Sequence, residues 1–396
     1  MQGQGRSPDR RGARSGACRQ RTEFRTMNGS TMKAFARLFC SLVLLVGLAL
    51  AMPLQAQDWV AKAQQHTIEL PDFTFHTGEK LPSVKMHVYT LGTPRRDSEG
   101  RVTNAIMLLH GTGGNGTSLL APHFGDELFG EGQLFDIGKY YIISPDNLGH
   151  GQSSKPSDGL RAQFPRYDYS DMVLAQHRIL TEGLGVDRLY LVLGTSMGCM
   201  HSFVWGPSYP GFVERFVPLA CNAIEIAGRN RMFRQMVIDG FRNDPEYRGG
   251  DYADGSALRT GQATNANILL LAGSNPYRMQ AELPTRDAAV EALHRAREAV
   301  AARNVDPNDA IYQLDSSRNY NPAPQLHLIT APVLWINSAD DFINPPGLGD
   351  PEALAQQMPH ARFVLIPASA ETYGHGTHSR PKLWKAELER FLSENP

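Results

Sequence analysis

Apolar residues in this chain fall into short runs separated by longer amphipathic stretches. Residues 84–89, 105–110, 140–145, 189–193, 216–220, 333–337 and 363–367 each read as a short β-strand bounded by turn residues. Helical periodicity marks 172–184, 352–358 and the amphipathic 382–392. Strands alternating with helices predict an α/β fold, a mostly parallel central sheet with helices on both faces. Ligands in such a sheet bind beyond the carboxyl ends of the strands.

One block breaks this rhythm. Residues 222–326 separate two strands with a long polar, helix-prone stretch that includes RDAAVEALHRAREAVAAR at 286–303. A structureless loop of that length is rare in a compact domain, so the block predicts an inserted helical cap over the carboxyl edge of the sheet. The core is then split into 57–221 and 327–396, and no internal repeat is evident within it.

The first 56 residues differ in character. Residues 1–31 are rich in Arg, Gly and Ser and read as a disordered or mis-assigned leader. From Met32, Lys33 and Arg37 form a basic head, 38–50 (LFCSLVLLVGLAL) an apolar run and 53–57 (PLQAQ) a small-residue exit. That is the pattern of a secretory signal peptide over 32–56, cleaved after Ala56, and it predicts a periplasmic or extracellular protein. The run falls short of the roughly 20 residues of a membrane span, and an uncleaved N-terminal anchor is the alternative. Without the leader, the formal net charge changes from −1 for all 396 residues to −8, with 30 basic against 38 acidic side chains. Such a balance argues against a nucleic-acid or anionic-membrane surface. Cys199 and Cys221 remain and read as buried thiols beside core strands, although an oxidising compartment would permit one disulfide. No zinc-type Cys/His spacing occurs, and no metal or cofactor is implied.

Candidate chemistry starts at LVLGTSMGCM, 191–200. Gly194-Thr195-Ser196-Met197-Gly198 fits G-x-S-x-G at a strand-to-helix corner, where small flanking residues allow a strained turn that exposes the serine hydroxyl. A nucleophilic serine needs a base, an orienting acid and an oxyanion site. The glycine-rich turn His110-Gly111-Thr112-Gly113-Gly114 can bring backbone amides to a substrate oxygen, and the Thr112 and Met197 amides would form a two-donor hole. The acid is expected after a late strand, where Asp340 and Asp341 are adjacent; successive residues of an extended segment point opposite ways, so only one can face the base. D-F-I-N-P favours Asp341, with Asp340 the alternative. His375, between two glycines, is the candidate base and His378 its rival, read as a water-exposed residue at a helix start. Aspartate-nucleophile chemistry is disfavoured because Ser196 stands at the corner.

The order Ser, Asp, His is that of the α/β-hydrolase triad. Within that fold, residues 80–395 resemble the homoserine O-acetyltransferase family, through GTSMGCMHSFVWGPSYP (194–210), DPEYRGGDY (244–252), the Asp341 loop and YGH (373–375). The resemblance implies Ser196 as acyl-accepting nucleophile, His375 as base and Asp341 as its orienting acid. It also implies a cap arginine that receives an amino-acid carboxylate, for which Arg278 in AGSNPYRMQAE (272–282) is the candidate; Gly111, from the glycine-rich turn itself, is the other candidate substrate-binding residue. NLGHGQSSKPSDG (147–159) reads more like general hydrolases of the fold, and an exported protein is cut off from an acyl-CoA pool. The expectation is therefore a secreted serine hydrolase acting on a small-molecule carboxylic ester or related acyl compound through an acyl-enzyme on Ser196. An O-acyltransferase is the alternative and an inactive hydrolase-fold binding protein the minor one.

Overall fold

The computed structural model describes residues 57–395; the readings of 1–31 and 32–56 lie outside the described residues. Its centre is one eight-stranded sheet built from β1 (Gln64–Thr74), β2 (Lys80–Leu91), β3 (Ala105–Leu109), β4 (Tyr141–Pro145), β5 (Leu191–Thr195), β6 (Phe216–Leu219), β7 (Val333–Ser338) and β8 (Ala361–Ile366). The order is β1-β2-β4-β3-β5-β6-β7-β8. β1 and β2 pair antiparallel, as do β2 and β4; every other neighbouring pair is parallel. The chain thus has the α/β architecture expected from its pattern.

β3 through β7 are buried along their whole length, as continuous apolar strands covered on both faces must be. Alternation sorts their side chains between two cores. Ala105, Met107, Leu109 and Val192 join one cluster, while Ile106, Leu108, Leu191 and Leu193 join the other. β1 is an addition to the strands read from the sequence. Its Pro71 argues against a central strand, yet β1 lies at the sheet edge, where a missing N–H costs little.

Eleven α-helices lie among the described residues. In chain order they are α1 (Trp59–Lys62), α2 (Pro122–Leu128), α3 (Tyr169–Arg178), α4 (Met197–Ser208), α5 (Gly228–Arg242), α6 (Arg259–Ala272), α7 (Pro276–Glu282), α8 (Arg286–Ala302), α9 (Pro307–Asp315), α10 (Pro351–Ala355) and α11 (Lys385–Glu394). α3 starts at a capping box in which the Asp168 and Asp171 carboxylates satisfy each other's ends of the first turn, and it runs on into a π-helical segment, Ile179–Leu184. The connection between β6 and β7 carries α5 to α9, with a small core of its own that includes Val237, Ile238, Phe241, Tyr252, Leu258 and Ile311. α9 docks on the main body through polar contacts: Asp309 accepts from the Ser157 amide and hydroxyl at 2.9 and 2.7 Å, Asp315 pairs with Arg166 at 2.6 Å, and the Tyr312 hydroxyl donates to the Phe164 carbonyl at 2.6 Å.

Cys199 and Cys221, read as free buried thiols, are joined in a disulfide with their Cα atoms 5.9 Å apart. β5 and β6 are parallel neighbours, so the first turn of α4 and the exit from β6 emerge side by side at the same end of the sheet. That juxtaposition cannot be seen in residues 22 positions apart.

Candidate active site

β5 ends at Thr195 and α4 begins at Met197, leaving Ser196 alone at the corner with φ 54° and ψ −109°. A positive φ is strained for serine and persists only where the surroundings impose it. The two glycines of the motif supply the room. A Cβ on Gly194 would lie 2.0 Å from the Gly198 carbonyl oxygen, and one on Gly198 would lie 2.1 Å from that of Leu109. Only glycine lets α4 approach β3 and β5 this closely.

The chain brings three of the candidate residues together here. His375 Nε2 lies 2.9 Å from Ser196 Oγ, and His375 Nδ1 lies 2.7 Å from Asp341 Oδ2. An ionised carboxylate only accepts, so Nδ1 carries the proton and Nε2 is left to accept from the serine hydroxyl. The other Asp341 oxygen accepts from the Ile343 and Asn344 amides at 2.9 and 2.8 Å, which locks the carboxylate plane. Asp340 faces away from the imidazole: its Oδ2 accepts from the Gly374 amide and the Thr372 hydroxyl at 3.0 and 2.8 Å. His378 is not the exposed helix-start residue expected. It is half-buried, its ring edge-on to that of His375 with centroids 5.0 Å apart.

Gly111 adjoins the nucleophile, since a Cβ there would sit 3.2 Å from Ser196 Cβ. Thr112 lines the cavity in front of the serine, and Met197 opens α4. Among the described residues neither amide donates to a backbone carbonyl. His110 sets the Thr112 peptide. Its Nε2 accepts from the Asn147 amide at 3.1 Å, so its Nδ1–H donates to the Gly111 carbonyl at 2.9 Å. In a trans peptide the Thr112 N–H points the opposite way from that carbonyl. Burial lowers the His110 pKa and keeps the ring in the neutral form this arrangement requires. Behind α4, Gln176 donates to Asn147 Oδ1 and His201 Nδ1 and accepts from Trp205, while burial depresses His201 to about 3.

A cavity of about 800 Å³ opens over Ser196 and His375 and runs under the cap. Its walls include Phe233, Arg234, Ile268, Leu269, Asp309 and Gln313. Arg278 is not on that wall, contrary to expectation. It sits in α7, paired with Glu282 at 2.6 Å, its guanidinium stacked 4.1 Å over the Tyr373 ring. The arginine that does reach the cavity is Arg234, buried in α5, where it donates to Asn230 Oδ1 at 2.9 Å. Sequence reading missed it because one arginine among the four of α5 stands out only once the cavity-facing side of the helix is known. Burial pushes Asp309 up to about 6.

One His/Asp/Asp group among the described residues has metal-ligand composition. His76, Asp168 and Asp171 bring their ligand atoms within 4.8 Å of one another. An arginine nitrogen, Arg318 Nη2, already stands 3.3 Å from His76 Nε2, and both carboxylates cap α3, so the group reads as an ion-pair network.

The α/β-hydrolase fold model matches residues 104–372. The chain belongs to this family. The chain is 28% identical over 333 residues to a homoserine O-acetyltransferase from Thermobifida fusca, an alignment covering 76% of this chain and 85% of that one. It is 31% identical over 213 residues to an ethyl acetate hydrolase from Pseudomonas veronii, covering 53% and 58%. Among solved structures, the acetyl esterase MekB superposes with a TM-score of 0.71 at 23% identity, covering 84% of this chain and 97% of that one, a likeness of fold. The chain is thus a hydrolase-fold enzyme that is similar to both esterases and homoserine acyltransferases. No helix among its described residues is long and apolar enough to cross a membrane.

Proposed function

We propose that the chain is an exported serine esterase that cleaves small carboxylic esters through an acyl-enzyme on Ser196. The observation that carries this reading is the line Ser196 Oγ, His375, Asp341 Oδ2, with contacts of 2.9 and 2.7 Å, at the floor of the large cavity. His375 Nε2 takes the hydroxyl proton as Ser196 Oγ bonds to the ester carbonyl carbon, and the Asp341 carboxylate stabilises the imidazolium that forms. The developing oxyanion is received by the Thr112 and Met197 amides, each worth about 3 to 4 kcal/mol to the transition state. The C–O bond to the alcohol then breaks, with the His375 proton passing to the departing oxygen. Water, deprotonated by the same nitrogen, releases the acid in the second half.

A cavity of about 800 Å³ far exceeds an acetyl group and leaves ample room for water, each molecule filling roughly 30 Å³, beside the acyl-enzyme. That favours hydrolysis in the second step. Export is supported by the 32–56 pattern together with the Cys199–Cys221 disulfide, a bond that persists in oxidising compartments. Acyl transfer is the second reading, and Arg234 favours it. A buried guanidinium on the wall, with no carboxylate ion pair among the described residues, suits an acceptor that carries an anionic group.

The test is turnover of p-nitrophenyl acetate and butyrate by the wild type and Ser196→Ala, with and without homoserine and acetyl-CoA. Ester hydrolysis abolished in the variant, with no O-acetylhomoserine formed, supports the esterase. Acetyl transfer faster than hydrolysis and lost in Arg234→Ala overturns it in favour of the acyltransferase.

A further inference from the structure

We propose that Asn275, in the turn between α6 and α7 of the cap, is a positioning residue for His375 that acts through Asp340. The inference rests on His375 being the general base.

The two adjacent aspartates divide the work. Asp341 holds the imidazole itself, whereas Asp340 holds the chain that carries it, through the Gly374 amide and the Thr372 hydroxyl. The third partner on Asp340 Oδ2 comes from the cap: Asn275 Nδ2 donates to it at 2.7 Å. The same amide nitrogen is 2.9 Å from the Ser369 carbonyl and 3.0 Å from both oxygens of Thr372. Both Asn275 N–H bonds therefore point to Asp340 or to the loop leading into His375. Its Oδ1 accepts from the Arg278 amide at 3.1 Å and caps α7. The side chain is 2% exposed, so water cannot take over these contacts.

Backbone contact tightens the same junction. Gly374 has φ +59°, and a Cβ there would lie 2.5 Å from the Ser274 carbonyl oxygen, so cap and loop touch main chain to main chain. Two guanidiniums stand over the Tyr373 ring, that of Arg278 from the cap 4.1 Å and that of Arg380 4.7 Å from its centroid. Every residue from Thr372 to Gly374 is thus gripped by the cap or by Asp340, and His375 comes next. On the other side of the junction, Asn265, Ile268, Leu269 and Ala272 of α6 line the cavity. The wall that meets substrate and the loop that aims the base converge on one asparagine. A displacement of about 1 Å at the base is enough to cost on the order of 100-fold in rate.

The test follows the rate of Ser196 labelling by a fluorophosphonate and steady-state turnover of p-nitrophenyl acetate, using the wild type, Asn275→Ala, Asp340→Asn and Asn275→Ala/Asp340→Asn. Arg297→Ala is the control; it removes an exposed contact to Asn267 that ties α8 to α6, away from the loop. Asn275→Ala is expected to label and turn over roughly 10- to 100-fold more slowly with KM within about threefold. Asp340→Asn, which leaves the cap sequence intact, should fall in the same direction, the double variant should lose little more than the worse single one, and Arg297→Ala should match the wild type. Wild-type labelling with an unchanged rate in both Asn275→Ala and Asp340→Asn overturns the inference. So does an Arg297→Ala loss equal to that of Asn275→Ala, which would make cap stability the cause. A wild type that does not label at Ser196 instead overturns the esterase reading beneath it.

Discussion

Replacing Asp341 by asparagine exchanges one oxygen for an NH2 group and leaves the volume unchanged. Asp341 Oδ1 accepts from the Ile343 and Asn344 amides, so the new side chain must keep its carbonyl oxygen there and turn its NH2 toward His375. Two donors then face each other across a 2.7 Å contact unless the imidazole moves its proton to Nε2. With that proton on Nε2, nothing accepts from the Ser196 hydroxyl. The electrostatic part can be sized separately. Charge centres about 4 Å apart, at an effective dielectric of about 20, attract by about 4 kcal/mol, or roughly a thousandfold in rate. Reversal of the tautomer brings the expected loss in kcat to roughly ten-thousandfold. The assay is p-nitrophenyl acetate turnover at pH 7.5, with thermal unfolding to show that the variant is folded. An Asp341→Asn enzyme keeping more than a tenth of wild-type kcat, or one less impaired than Asp340→Asn, would refute the assignment of the two carboxylates.

Three further outcomes are expected. Gly198→Ala places a methyl 2.1 Å from the Leu109 carbonyl oxygen, so α4 must shift; calorimetry should show a loss of about 3 kcal/mol and kinetics a fall of at least about 100-fold in kcat. Cys199→Ala/Cys221→Ala opens a crosslink across 22 residues, for which loop entropy gives about 3 kcal/mol, read as a lower Tm than that of the oxidised wild type and matched by the wild type after reduction. Burial raises the Asp309 carboxyl from 3.8 to about 6, so its stabilisation is complete below about pH 4 and is lost as pH rises through 6. Asp309→Asn removes that loss, and denaturant titrations should show the variant gaining about 2 to 3 kcal/mol on the wild type between pH 4 and 7; parallel stability curves would count against a buried carboxylate there.

Local pattern determined a good deal of this protein. Apolar runs marked seven of the eight strands to within a few residues: β3 to β7 because a strand buried on both faces must be apolar throughout, and β2 and β8 through their own short apolar stretches although both are partly exposed. β1 escaped because an edge strand tolerates proline and polar residues. The apolar run starts β5 at Leu189, whereas the continuous ladder with β3 starts at Leu191, opposite Ile106, and Leu189 pairs with Val213 in an isolated parallel bridge; register is a property of two strands, and one strand's sequence does not contain it. The chemistry of the corner was equally legible, since only glycine fits where the Cβ of residue 194 or 198 would strike a backbone oxygen. D-F-I-N-P pointed to the aspartate that meets His375, but residue type could not decide whether Cys199 reaches Cys221 or which cap arginine faces the cavity. Those answers depend on strand order and on how the cap lies over the sheet. Arg234 reaches the substrate space while Arg278 stacks on Tyr373, although both are arginines on polar cap helices. A side chain's partners are set by packing between segments far apart in the chain, and local hydrophobic periodicity carries no information about that packing.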